Sequence, residues 1–309
     1  MTENLKKNNI AQPFLKWAGG KRQLLPILEK NLPKELLTGE IENYYEPFLG
    51  SGAMFFFLNE NFSFKNIFLS DTNSDLILTY KVIQRDVELL VKELEKNQEH
   101  YISLGKADRK EFYYAVRADF NSERKSIDYS NYKKSWSQRA AKLIFLNKTC
   151  YNGLFRLNSK GEFNTPAGDY LSPRICDEKN LENVSKALKN VIIEIKDFKE
   201  LPKDFLANSF VYFDPPYRPL SATSSFTSYS NNNFSDNNQK ELSEIYFELN
   251  NTGGKLMLSN SDPKNTNKND SFFDDLYNQY KIKRIPAKRY INSNANKRGN
   301  INELLILNY

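Results

Sequence analysis

Residues 43–60, NYYEPFLGSGAMFFFLNE, decide the fold. A short apolar run, NYYEP at 43–47, reaches the turn Gly50-Ser51-Gly52 and gives way to the helical pattern SGAMFFFLNE. Gly50 and Gly52 let the backbone come close to a ligand, and the helix that follows offers free N–H groups in its first turn. The third glycine of a dinucleotide-binding fingerprint is missing, and no Gly-Lys-Ser/Thr follows as in a nucleoside-triphosphate loop. An ordinary strand-to-helix turn would use the same glycines. What favours a ligand is Asp71, which closes the next apolar run, KNIFLSD at 65–71, twenty-one positions after Gly50. An acid there can accept hydrogen bonds from both hydroxyls of a ribose, so the pair suits a small nucleoside ligand without a pyrophosphate.

The alternation continues outward. Runs at 191–197 (VIIEIKD), 209–214 (SFVYFD), 255–260 (KLMLSN) and 303–308 (ELLILN) read as buried strands, with NSDLILTYKVI and DNNQKELSEIYFEL as helices between strands. This predicts an α/β fold built on a mostly parallel, doubly wound sheet. The pattern breaks between residues 81 and 175. There EFYYAVRADF and SQRAAKLIFLNK have helical spacing, and YNGLFRLNSKGEFNTPAG at 151–168 alternates like a β-hairpin turning at Ser159-Lys160-Gly161. The expected division is one discontinuous domain, 1–80 with 176–309, and an inserted, mainly helical domain at 81–175. SNNNFSDNN at 230–238 and NKND at 267–270 read as exposed polar loops.

The 309 residues suffice for a large core with an appendage. His100 is the only histidine and Cys150 and Cys176 the only cysteines, which excludes a Cys/His metal cluster, a Ser-His-Asp hydrolase and a disulfide framework. No metal is expected. The N-terminal MTENLKKNNI lacks an apolar core segment and no run is long enough to cross a bilayer, so a cytoplasmic protein with no membrane partner is expected. The net charge of +6, with basic stretches KKNN near the start and AKRYINSNANKRGN at 287–300, is compatible with a polyanionic partner without requiring one.

Two further stretches carry chemistry. FLKWAGGKRQLL at 14–25 has two readings that its residues leave open. It is a loop and helix start with Trp17 in the core, or a segment folded over a cofactor at Gly19-Gly20, with Trp17 and Lys21 at the cofactor's amino-acid end. SFVYFDPPY at 209–217 ends a strand in Asp214, stiffens it with Pro215 and Pro216, and presents Tyr217. A Pro-rich turn is the plain reading. In a doubly wound sheet, however, this strand end faces the same crevice as the glycine turn. There the Asp214 carboxylate and the Pro215 carbonyl can each accept one N–H of an amino group conjugated to a heteroaromatic ring. That frees the nitrogen lone pair toward an electrophile, while the prolines lower reorganisation cost and Tyr217 can stack on the ring.

Taken in order from Pro13 to Tyr309, these motifs make the chain strongly resemble the DNA adenine methylase (Dam) family, amino-methyltransferases of the α arrangement. The motifs are FLKWAGGK, YYEPFLGSGA, SDTNSDLI, YNGLFRLNSKGEFNTPAGDY, SFVYFDPPY, TSSFTSYSNNNFS and NELLILNY. The chain resembles most the branch that methylates adenine in GATC. The resemblance implies a Rossmann-like methyltransferase sheet, S-adenosylmethionine as cofactor and double-stranded DNA as partner. It implies direct in-line methyl transfer to the 6-amino group of an adenine flipped out of the duplex, with no covalent enzyme intermediate. Catalysis would fall to Asp214, Pro215, Pro216 and Tyr217. Cofactor binding would fall to Trp17, Lys21, Phe48, Gly50, Gly52, Asp71 and Asp214, with Asp197 and Phe198 as the adenine-pocket element. The hairpin would read sequence, with Arg156 on the major-groove acceptors of guanine. Tyr151 would wedge beside the flipped base, Asn152, Leu154 and Pro166 would line the duplex, and Lys16 would reach the outer guanine. TSSFTSYSNNNF would be a loop ordered by DNA. A monomer is expected, with a restriction endonuclease of the same specificity as a candidate partner.

Plainer roles exist for several of these residues: Arg156 on a phosphate, Tyr151 in the hairpin core, Asp197 as a strand end. Among rivals, methyltransferases of RNA or of protein glutamine amides usually begin the tetrapeptide with Asn and lack the hairpin. Cytosine ring-carbon methylation needs a cysteine after proline, whereas Thr149 precedes Cys150 and Ile175 precedes Cys176. A DNA-binding relative without catalysis would not need the intact Asp214–Tyr217 stretch.

Overall fold

The two runs around the glycine turn lie side by side. Strand β1 (Asn43–Glu46) pairs parallel with β2 (Asn66–Asp71), Tyr44 opposite Ile67 and Glu46 opposite Leu69. The computed structural model describes residues 10–17, 19–202, 208–218, 234–288 and 300–309. Within them, β3 (Ile192–Ile195), β4 (Ser209–Phe213), β5 (Lys255–Ser261), β6 (Lys281–Lys288) and β7 (Asn300–Leu307) complete a seven-stranded sheet of order β3-β2-β1-β4-β5-β7-β6. The first five strands are parallel; β7 runs antiparallel to both β5 and β6. From β1 the chain winds outward through β2 to β3, and from β4 it winds the other way. The switch therefore falls between β1 and β4, where an open α/β sheet forms its ligand crevice.

Strand β4 shows why the strands read as continuous apolar runs. All five of its residues are buried, with Phe210 and Tyr212 in the core on one face and Val211 and Phe213 in the core on the other. On the first face lie α3 (Ala53–Asn61) and the long α4 (Ser74–Ser103). On the second lie α8 (Asp236–Asn251) and the short α9 (Phe272–Leu276). Helix α4 starts cleanly because the Asn73 side chain accepts the Leu76 N–H at 3.0 Å, and α8 because Ser235 and Asn238 form a capping box.

Between β2 and β3 the chain is helical, as its spacing predicts: α4 is followed by α5 (Lys106–Glu123), α6 (Trp136–Thr149) and α7 (Glu178–Ala187). Helix α4 passes residue 80 with its apolar face continuous and kinks at Asp86. The short α1 (Leu25–Glu29) and α2 (Lys34–Leu37) precede β1. The hairpin at 151–168 differs from a regular ladder. Isolated antiparallel bridges at Cys150–Ala167 and Leu157–Phe163 hold it, with Gly161 at φ 75° in the turn. Side chains of the helical layer replace the missing ladder bonds: Asn121 pairs with the Phe163 backbone through both its amide oxygen and its nitrogen, and the Tyr113 hydroxyl donates to the Thr165 carbonyl at 2.8 Å.

Strand β6 was not anticipated. KIKRIPAK alternates charge with apolar residues and contains Pro286, which an edge strand tolerates and a central strand does not. The basic stretches expected at KKNN and most of AKRYINSNANKRGN lie outside the described residues, as do positions 223–233 of the loop TSSFTSYSNNNF. No helix among the described residues is long and apolar enough to cross a membrane, and no cluster of metal-ligating side chains occurs among them.

Candidate active site

Asp214 follows the last residue of β4, at the switch point. Its Oδ1 lies 2.6 Å from Lys21 Nζ, and a fifth of its side chain remains open to the crevice while Lys21 is buried. Lys21 also donates to the Gly19 carbonyl at 3.0 Å, stands 4.6 Å above the Tyr217 ring and comes within 4.0 Å of Glu303 Oε2. The Tyr217 hydroxyl donates to that same Glu303 oxygen at 2.7 Å. Three groups, the Gly19 carbonyl, Tyr217 and Glu303, thus surround one ion pair. Burial pushes the Asp214 carboxyl up to about 6, against the pull of Lys21. Burial works to lower Lys21, but Asp214, Tyr212 and Glu303 outweigh it and hold the ammonium above its ordinary value. At neutral pH both partners are charged.

The Asp214–Arg218 turn is locked from outside. The Pro216 carbonyl accepts from Gln239 Nε2 at 3.2 Å, and the Gln239 oxygen accepts in turn from Asn260 Nδ2 at 3.1 Å. Arg218 forks onto Asp236 at 2.7 and 2.9 Å, donates to Asp270 at 2.8 Å and lies 4.2 Å over the Phe272 ring. The prolines remove backbone freedom, and these contacts fix what remains.

Beside it, Asp71 organises the glycine turn. Its Oδ2 accepts the Gly50 N–H at 3.0 Å and its Oδ1 the Asn73 N–H at 2.9 Å; burial raises its pKa. Gly50 and Gly52 have φ of 48° and 69°, the left-handed region. A Cβ on Gly50 would stand 3.0 Å from the Trp17 indole, and one on Gly52 2.8 Å from the Tyr80 hydroxyl. Glu46, at the end of β1, is buried; its carboxyl accepts from the Tyr44 hydroxyl at 2.7 Å and is raised by burial to about 8. At the end of β3, Phe198 stacks on Phe48 with centroids 5.4 Å apart, and Phe234 packs against both. Asp197 immediately precedes Phe198. Its carboxylate caps the helical turn Phe198–Glu200, accepting the Lys199 N–H at 3.0 Å.

The hairpin residues form a second group. Tyr151 is 59% exposed, Asn152 adopts a left-handed φ of 56°, and Pro166, also exposed, accepts the Tyr151 N–H at 2.9 Å through its carbonyl. Arg156 is half-buried, and its guanidinium is tied to Asn164, Nε donating to Oδ1 at 2.8 Å and Nη2 to the carbonyl at 3.4 Å. Leu154 is half-buried beside it, and the exposed Lys16 has its ammonium 4.9 Å over the Tyr170 ring. Trp17 joins the groups: it stacks on Phe155 at 5.1 Å while closing over Gly50.

Comparison with known proteins gives the chain its family. Residues 17–291 match the family model described as D12 class N6 adenine-specific DNA methyltransferase. The chain belongs to that family. Among its relatives is the type II methyltransferase M.MjaIII of Methanocaldococcus jannaschii, 51% identical over 299 residues, covering 96% of this chain and 99% of that protein. The type II methyltransferase M1.LlaDCHI of Lactococcus lactis subsp. cremoris is 36% identical, over 99% and 98% of the two chains. The DNA adenine methylase of Escherichia coli (strain K12) is 33% identical, over 98% and 96%.

For an N6 adenine-specific DNA methyltransferase, the family's cofactor is S-adenosylmethionine, and the crevice suits it. Glycines leave room for close approach, the stacked Phe48 and Phe198 form an apolar wall, Asp71 offers acceptors, and Lys21 with Asp214 offers both charges at the far end. Sequence reasoning missed the residues that hold this site from behind: Glu303, Gln239, Glu46 and Asn147. Their neighbours in the chain are polar as well as apolar, and only the folded position, buried for Glu46, Asn147 and Gln239 and partly buried for Glu303, exposes them. A carboxylate inside an apolar run, as in NYYEPF, is the signal that could have found Glu46.

Proposed function

We propose that the protein methylates the 6-amino group of adenine within GATC in duplex DNA, acting as a monomer on a base turned out of the helix. The observation that carries the reaction is the locked turn at Asp214: an ionised carboxylate, a fifth of it open, beside a rigid Pro215 carbonyl, with Tyr217 fixed at its side. S-adenosylmethionine supplies a methyl group on a positively charged sulfur. Asp214 and the Pro215 carbonyl each accept one N–H of the adenine amino group, turning its lone pair away from ring conjugation. Tyr217 stacks on the base, and the prolines keep both acceptors in place before it arrives. Trp17, Lys21, Phe48, Gly50, Gly52, Asp71 and Phe198 hold the cofactor, with Asp197 fixing the turn that carries Phe198.

The 81–175 segment acts as the recognition unit. Arg156, steered by Asn164, reads guanine in the major groove; Tyr151, Asn152, Leu154 and Pro166 follow the duplex, and Lys16 reaches the outer guanine. The likeness of YNGLFRLNSKGEFNTPAGDY to the GATC-methylating branch supports this assignment. Two relatives are named type II methyltransferases, which supports a restriction endonuclease of the same specificity as partner. The test is transfer of a labelled methyl group to short duplexes. Label entering adenine of a GATC duplex, and not of one with the four bases permuted, is expected. Label entering cytosine, RNA or protein instead contradicts the reading.

A further inference from the structure

Asn147 takes no part in the reaction proposed above, yet it ties the two binding surfaces together. It lies in the last turn of α6 with 1% of its surface exposed. Its Oδ1 accepts the Lys16 N–H at 2.8 Å, and its Nδ2 donates to the Lys16 carbonyl at 2.8 Å and to the Gly153 carbonyl at 3.2 Å. A side-chain amide offers one carbonyl and two N–H groups, and all three are engaged. The paired bonds to Lys16 resemble those a neighbouring strand would make, so they fix the segment both along its length and about its axis.

What that clasp sets is visible on either side of it. The Lys16 side chain runs onto the base of the hairpin, so close that a Cβ on Gly153 would meet its Cδ at 2.2 Å. Trp17 turns toward the glycine turn and stacks on Phe155, and Lys21, four residues on, reaches Asp214. One strap therefore carries a group facing the proposed DNA side and two facing the cofactor crevice. A slip of one residue along the clasp would put Trp17 where Lys16 stands and empty the crevice wall.

We propose that Asn147 is a positioning residue that makes cofactor binding and target binding mutually dependent, by holding the 14–21 strap and the base of the hairpin at one point. The inference rests on the functional reading above. By linkage, the factor by which duplex tightens the cofactor site equals the factor by which cofactor tightens duplex.

The test is calorimetric titration with the unreactive product S-adenosylhomocysteine, alone and with saturating GATC duplex. In the natural protein the duplex is expected to tighten binding by about tenfold or more. In Asn147→Ala, with folding checked by thermal melting, the factor is expected to fall to about twofold or less. Asn147→Asp keeps the size and the bond from the Lys16 N–H but loses both donated bonds; the same fall is expected, and this variant carries the test if the alanine variant does not fold. An unchanged factor in the folded variants, even with both affinities lowered, overturns the proposal, as does a natural protein that binds both ligands independently. A natural protein that binds neither overturns the functional reading itself, and that outcome is distinct.

Discussion

At the residue scale, the site turns on how a carboxylate is kept both ionised and able to accept. Asp214 stands beside Lys21 at 2.6 Å, and burial still lifts its pKa to about 6. In the proposed reaction a protonated Asp214 loses the acceptor strength that the adenine amino group needs. Turnover at saturating substrates is therefore expected to fall as pH drops through about 6, and a pH–rate profile flat to pH 4.5 would contradict this role. Glu303 works one step further out, accepting from Tyr217 and facing Lys21. Glu303→Gln keeps the shape and removes the charge, so kcat/KM is expected to drop about tenfold, the value of a weakened charge-assisted bond. Steady-state kinetics on the purified variant checks it. Asp214 was legible because its chemistry is written in adjacent letters, Asp-Pro-Pro-Tyr. Glu303 was not, because its partners lie 86 and more positions away in the chain.

At the scale of elements, the glycine turn shows how local conformation makes a binding surface. Gly50 combines a positive φ with an indole at 3.0 Å from any added Cβ, and its N–H is held by Asp71. Gly50→Ala is expected to cost about 1–2 kcal/mol of stability from the left-handed backbone and to displace Trp17. Cofactor affinity is then expected to fall more than that stability loss implies; calorimetry and denaturant melts on one preparation separate the two. Six of the seven strands were readable as apolar runs: β4 and β5 are buried on both faces, and β3, although an edge strand with Ile192 exposed, keeps an apolar run. Strand β6 escaped because an edge strand alternates, carries charge and admits Pro286. The hairpin was readable from its alternation and Gly161, but not its irregular ladder, which depends on Asn121 and Tyr113 in another helix.

At the scale of the molecule, sheet order explains why motifs scattered from Lys16 to Glu303 meet. Reversal of winding between β1 and β4 brings the glycine turn and the Asp214 turn to one crevice, and the chain between β2 and β3 builds the hairpin beside it. Trp17, touching both, joins the crevice and the hairpin. The central claim is that Asp214 activates the adenine amino group and Arg156 chooses which adenine arrives. Genome-wide mapping of N6-methyladenine tests both at once, in a host without the modification that expresses the natural protein, Asp214→Asn or Arg156→Ala. The natural protein is expected to mark GATC and Asp214→Asn to lose about 10²–10³-fold in rate. Arg156→Ala is expected to spread marks to sites differing at the guanine it reads, reflecting about 1–3 kcal/mol of lost discrimination. Full marking by Asp214→Asn, or marks by the natural protein at a sequence unrelated to GATC, would contradict the account.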